Sequence, residues 1–123
     1  MLIAMSGATT GKSGIYYEEH EAYLNQRVGK VVLRNNNVRY AFIAQWVNSN
    51  NFIEQLQSKL LAGAQPNISN SDIERFVLSI PCTEEQSLIA DLLIDFDEAI
   101  AAAKKELELW KELKKGLLQQ MFV

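Results

Sequence analysis

The architecture turns on TEEQSLIADLLIDFDEAIAAAKKELELWKELKKGLLQQM, residues 83–121. Within it Ile89, Leu93, Phe96, Ile100, Ala103, Leu107 and Trp110 recur at spacings of 4, 3, 4, 3, 4 and 3. That alternation is a heptad seam, the pattern by which one helix packs along another. After Trp110 the apolar positions continue at Leu113, Leu117 and Met121, one residue out of phase, as at a stutter. Thr83 and Gln86 fit a capping box at the start. Acids crowd the first half and lysines the second, which suits the helix dipole. A helix unbroken from Glu84 to Met121 would run about 57 Å at 1.5 Å per residue. So long an apolar stripe exceeds what a small preceding domain can cover, and isolated helices are marginal in water, so the stripe predicts a second helix as its partner. The alternative is a helix folded back over its own domain.

Working back from the helix, Phe76-Val77-Leu78-Ser79-Ile80 reads as a strand ended by Pro81. Ser69 or Asn70 is placed to cap a short helix around residues 72–75. Phe52, Ile53, Leu56, Leu60 and Leu61 describe an amphipathic helix stopped at Gly63, and Tyr40, Ile43, Trp46 and Val47 another, with Asn48-Ser49-Asn50-Asn51 between them. Leu2-Ile3-Ala4-Met5, Ile15-Tyr16-Tyr17 and Lys30-Val31-Val32-Leu33-Arg34 read as strands, and residues 22–28 as a strand or loop edge before Gly29. The fold class is therefore α+β: a small mixed α/β domain followed by one long C-terminal coiled-coil helix. The abrupt opening in a strand predicts a parent chain that extends upstream.

Composition narrows the function classes. Of 123 residues, 48% are hydrophobic and 22% charged, which is globular rather than disordered. No apolar run is long enough for a bilayer, and Met1-Leu2-Ile3-Ala4-Met5 is too short for a signal-peptide core. Cys82 is the single cysteine, so no internal disulfide is possible. A cytoplasmic location with no membrane contact is the expectation. The net charge of −3 is unevenly spread: residues 1–40 carry +2, residues 41–83 carry −1, and residues 84–123 carry −4. A nucleic-acid surface would thus belong to the N-terminal region, and the acidic C-terminal region would contact protein.

Residues 6–13 nearly match the phosphate-binding pattern G-x-x-x-x-G-K-[ST], with Gly11, Lys12 and Ser13 in place and Ser6 where the first glycine belongs. A phosphate loop must open a helix, but Gly14-Ile15-Tyr16-Tyr17 reads as a strand, so nucleotide binding is the third-ranked function. Thr9, Thr10, Lys12 and Ser13 are instead suited to DNA phosphates, or to no ligand at all. His20, the only histidine, sits among Glu18, Glu19 and Glu21 with no second metal ligand at useful spacing. No nucleophile, base and acid come together as a set, so no metal, cofactor or enzymatic activity of the chain's own is expected.

The order of several short pieces resembles the type I restriction–modification DNA-specificity subunit. They are Leu2-Ile3-Ala4-Met5-Ser6-Gly7-Ala8-Thr9-Thr10-Gly11-Lys12, Tyr23-Leu24-Asn25-Gln26-Arg27-Val28, Leu61-Ala62-Gly63 with Ala64-Gln65-Pro66-Asn67-Ile68-Ser69, Ile80-Pro81, Glu85-Gln86-Ser87-Leu88-Ile89-Ala90-Asp91-Leu92-Leu93 with Phe96-Asp97, and Lys115-Gly116-Leu117-Leu118-Gln119-Gln120-Met121-Phe122. The resemblance implies two target-recognition domains per subunit, each reading half of a split DNA sequence, with paired long helices as a spacer. It implies no chemistry in the subunit: methyltransferase partners would use S-adenosylmethionine, and restriction partners ATP. On this reading residues 1–81 are a partial target-recognition domain, and residues 82–123 the long conserved helix for spacing and dimerisation. The chain looks like a C-terminal fragment or half-subunit, two copies of which would pair as a homodimer. DNA candidates are Thr9, Thr10, Lys12 and Ser13, then Asn25, Gln26 and Arg27, whose amides and guanidinium suit base edges, then Lys59, Gln65 and Asn67. Ile89, Leu93, Phe96, Ile100, Leu107, Trp110 and Leu117 are the expected helix–helix interface. The rival function is a module that dimerises through its helix without binding DNA.

Overall fold

In the computed structural model, residues 1–61 and 67–122 are described. The elements are β1 (Leu2–Ala4), β2 (Ser13–Gly14), β3 (Val28–Lys30), α1 (Tyr40–Trp46), α2 (Asn50–Leu61), α3 (Asn70–Ile73) and α4 (Thr83–Met121). The class is mixed α+β, as expected. The three strands form one antiparallel sheet in the order β2-β1-β3. The chain divides into two compact units, Met1–Ala90 and Asp91–Val123.

The first unit is built on β1. Apolar Ile3 is buried beneath the sheet and meets Val47, Phe52, Leu56 and Ile68 in the core. Phe52 anchors this cluster, its ring edge-on to Trp46 at 5.1 Å and to Phe76 at 5.3 Å, the geometry aromatic pairs prefer. Phe52 and Leu56 lie one helical turn apart, which is why both point inward from α2. Leu61 is the last described residue of α2, and the expected stop at Gly63 lies outside the described residues.

Several strand expectations need correction. The run 15–17 forms no strand, and β2 is instead Ser13–Gly14, immediately after the turn that closes its hairpin with β1. Residues 22–27 are irregular. Gly29 does not punctuate: it lies inside β3, paired with Ile3. The strand expected over residues 30–34 survives only at Lys30. Val31 N–H still reaches the Met1 carbonyl at 3.0 Å, but Leu33 N–H goes to the Tyr40 hydroxyl at 3.0 Å. Residues 76–80 form no strand either. The backbone partner of Val77 is a side chain instead: the Gln55 amide accepts from Val77 N–H at 2.8 Å and donates to Val77 carbonyl at 2.8 Å.

Of the two expected caps, one forms and one does not. Ser69 caps α3, with Asp72 completing a capping box, but α3 spans Asn70–Ile73 rather than residues 72–75. At α4 the box expected of Thr83 and Gln86 is not made, because Thr83 is already helical. Gln86 is fully buried and turns elsewhere. Its Oε1 accepts from Arg39 N–H at 2.9 Å, and its Nε2 donates to the carbonyls of Asn37 at 2.8 Å and Pro81 at 2.9 Å. A buried amide must find such partners, and here they knit the first turn of α4 to the segment before α1.

The second unit is a single helix, the remainder of α4. It holds Leu93, Phe96, Ile100, Leu107, Trp110 and Leu117 between 38% and 59% exposed. One helix taken alone has nothing to bury such a stripe against. Ile89, at the other end of the seam, is half-buried in the first unit. No helix among the described residues is long and apolar enough to cross a membrane.

Candidate nucleic-acid interface

The backbone of Met5 organises the site. Its N–H donates to the Arg27 carbonyl at 2.8 Å, and its carbonyl accepts from Ile68 N–H at 2.9 Å. Beside it Ser6 and Asn67 make an antiparallel bridge. The residue after β1 therefore holds the approach to β3 on one side and the approach to α3 on the other. Between them opens a cleft of about 530 Å³ lined by Met5, Ser6, Gly7, Gln26, Arg27, Asn67 and Ile68. Three sequence candidates from two distant segments, Gln26, Arg27 and Asn67, thus share one concave surface.

The loop leading out of β1 is a tight hairpin end. Gly7 and Gly11 both take positive φ, +83° and +86°, which glycine adopts without steric cost. The N–H groups of Thr10, Gly11 and Lys12 donate to the carbonyls of Gly7, Ala4 and Thr9 at 3.1, 2.8 and 2.9 Å. The Thr10 hydroxyl also donates to Gly7 carbonyl at 2.6 Å. A phosphate cradle needs such amides free and a helix behind them; here they close the hairpin and a strand follows. The resemblance to a nucleotide loop is therefore one of sequence only.

The other candidates take distinct places. Thr9 and Lys12 are exposed on the hairpin end, and Ser13 is half-buried in β2 opposite Ile3. Asn25 serves the backbone: its Oδ1 accepts from Arg27 N–H at 2.8 Å, and its carbonyl accepts from Val28 N–H at 3.1 Å. This Asx turn aims Gln26 and Arg27 into the cleft. Lys59 lies near the end of α2, outside the cleft lining, where its charge helps to hold the Asp72 carboxyl below its ordinary 3.8. The larger causes there are the hydrogen bonds from the Ser69 hydroxyl and backbone. Gln65 lies outside the described residues.

Ser6 and Gly7 also line the cleft, and sequence reading passed over both. Gly7 was legible as a turn residue, but the Ser6–Asn67 bridge joins positions sixty-one apart, and no local pattern announces it. Neither Lys12 nor Arg27 forms an ion pair among the described residues, whose salt bridges are Arg34–Glu74 and Lys111–Glu108. Both cations are left to attract an outside anion. Among the described residues no three metal-type ligands converge.

The family model described as "Type I restriction modification DNA specificity domain" matches residues 1–109. Two relatives come from Methanocaldococcus jannaschii. The type I restriction enzyme MjaVIII specificity subunit is 31% identical over 67 residues, 54% of this chain and 16% of that protein. A second, carried under the name type I restriction enzyme MjaX specificity subunit, is 33% identical over 58 residues, 47% of this chain and 14% of that protein. The chain thus corresponds to a small part of the length of either relative. No solved structure shows significant similarity. With its model matched over most of the sequence, the chain belongs to the type I restriction–modification DNA-specificity domain family.

Proposed function

We propose that this chain recognises DNA as a non-catalytic component of a type I restriction–modification complex. The observation that carries the reading is the meeting of Gln26, Arg27 and Asn67 in one cleft; Gly7, from the hairpin end that also exposes Lys12, lines the same cleft. Arg and the amides supply the donors and acceptors that base edges require, while Lys12 and Thr9 suit phosphates. Asn25 positions its neighbours rather than reading bases. The chain works in the cytoplasm and needs no cofactor of its own. Methyltransferase subunits with S-adenosylmethionine and restriction subunits with ATP supply the chemistry.

The apolar stripe of α4 pairs with the same stripe of a second copy, as a homodimer. Charge favours an antiparallel pair. Between Glu84 and Glu98 there are six acids and no lysine or arginine, whereas all five lysines of the helix fall between Lys104 and Lys115. Antiparallel pairing sets the acidic part of one helix against the lysine-bearing part of the other; parallel pairing would set acid against acid.

Gel-shift titration of duplex DNA at two salt concentrations tests the reading. Affinity should fall steeply with salt, and Arg27→Ala should weaken binding roughly tenfold, the cost of about 1–3 kcal/mol expected for a base-edge contact. Lys12→Ala should weaken it uniformly across sequences and reduce the salt slope by about 0.9. A dimer that gives no shift at low salt would favour the second reading, a helix-paired module without DNA binding, for which the exposed stripe on α4 speaks equally well.

A further inference from the structure

The outer edge of β3 is open, and it faces a cleft. The β1–β3 register puts Leu2 opposite Lys30, Ile3 opposite Gly29 and Ala4 opposite Val28. Met5 bonds Arg27 and Val31 bonds Met1, so the hydrogen-bonded pairs of this ladder are 1 with 31, 3 with 29 and 5 with 27. In an antiparallel ladder the residues between them turn their N–H and C=O groups to the other side. The backbone of Lys30 therefore points away from β1, and neither it nor the backbone of Val32, past the end of β3, bonds a described residue. Across from this edge stands α3. The space between is about 900 Å³, with Lys30, Val32 and Arg34 on one wall and Asn70, Ile73 and Glu74 on the other.

Three features narrow what fits there. Val32 is 62% exposed, although residues 30–34 have the β-branched composition of a strand. Lys30 has no carboxylate partner among the described residues, and Arg34 at the far end holds Glu74 at 3.3 Å. Two copies of this edge laid antiparallel would bring their cations together, which disfavours self-pairing. An incoming strand with carboxylates alternating with apolar side chains meets no such repulsion.

We propose that the β3 edge binds an extended acidic–apolar segment of another polypeptide as a fourth strand, seated between β3 and α3. Backbone bonds to Lys30 and Val32 supply the register, and a carboxylate beside Lys30 supplies selectivity. This site borders the DNA cleft, since Met5 and Gln26 line both spaces, but the proposed contacts to Lys30 and Val32 involve neither residue and do not rest on the DNA reading. The test is amide hydrogen exchange on the whole chain with a blocked pentapeptide alternating valine and glutamate, compared with its valine–lysine counterpart. The first peptide should slow exchange at Lys30 and Val32 by about tenfold or more, as bonded edge amides do, and the second should not. Lys30→Glu should reverse the preference. Unchanged exchange at these two amides, protection by both peptides alike, or an unaltered preference in Lys30→Glu would overturn the proposal.

Discussion

Single residues carry more of this fold than their size suggests. Gly11 is the clearest case. Its φ of +86° strains any L side chain, and a Cβ there would overlap Leu56 Cδ2 in the core. Gly11→Ala should cost about 2–4 kcal/mol, from backbone strain and overpacking together. Urea melts should show a lower midpoint at an unchanged m value; a variant as stable as the parent would mean the hairpin end relaxes without loss. Gly7 has nearly the same φ but open space around it, so only the backbone strain applies there. Asp72 makes a pH-dependent contribution. Its carboxyl is held below 3.8 first by the Ser69 hydroxyl, then by the Ser69 N–H. A depressed carboxylate stabilises the folded state above the unfolded value and loses that contribution as pH falls through the folded one. Melting temperatures of parent and Asp72→Asn should therefore differ at pH 7 and converge as pH drops below 3.8. A gap that persists in acid would show that the carboxylate charge is not the cause.

At the scale of elements, the start of α4 is held by something its sequence pattern did not announce. Thr83 and Gln86 have the spacing of a capping box, yet Gln86 spends its amide on Asn37, Arg39 and Pro81. Gln86→Met keeps the volume but leaves one buried N–H and two carbonyls without partners. The expected cost is about 2–4 kcal/mol, since each unsatisfied buried group costs roughly 1–3 and some reach water. Chemical denaturation followed by far-UV circular dichroism checks this, and a change under about 0.5 kcal/mol, the level of an ordinary surface substitution, would contradict it. Gln55 plays a parallel part at Val77, where its amide takes the place of a neighbouring strand. Helix positions were legible because the 3.6-residue period is a local signal. Beyond β1, strands were not, because pairing depends on what lies alongside: residues 15–17, 32–34 and 76–80 have strand composition and, among the described residues, no strand paired with them.

For the whole molecule, the proposed homodimer rests on the exposed stripe along α4. Ile100→Asp with Leu107→Asp places two carboxylates in an apolar seam and should abolish self-association. Sedimentation equilibrium reads the outcome directly, and a double variant that sediments as the parent does would remove helix pairing from the proposed function. The order of short matching segments, spread over nearly all of the chain, made the family readable where no single motif did, and the family model bears it out over residues 1–109. The cleft was legible only in part. Gln26, Arg27 and Asn67 stood out as donor-rich residues, but their meeting depends on Met5 bonding to both flanking segments at once.

By itself the sequence determined the long helix and its seam, the two middle helices, the first strand, the mixed class and the family, because each is written in local periodicity or in the order of short segments. The tertiary structure alone decided where the strands end, which polar side chains are buried, and which distant residues share a cleft. Those outcomes rest on hydrogen bonds between groups far apart in the chain, and a buried donor takes whichever acceptor the packed fold brings to it, however remote in sequence.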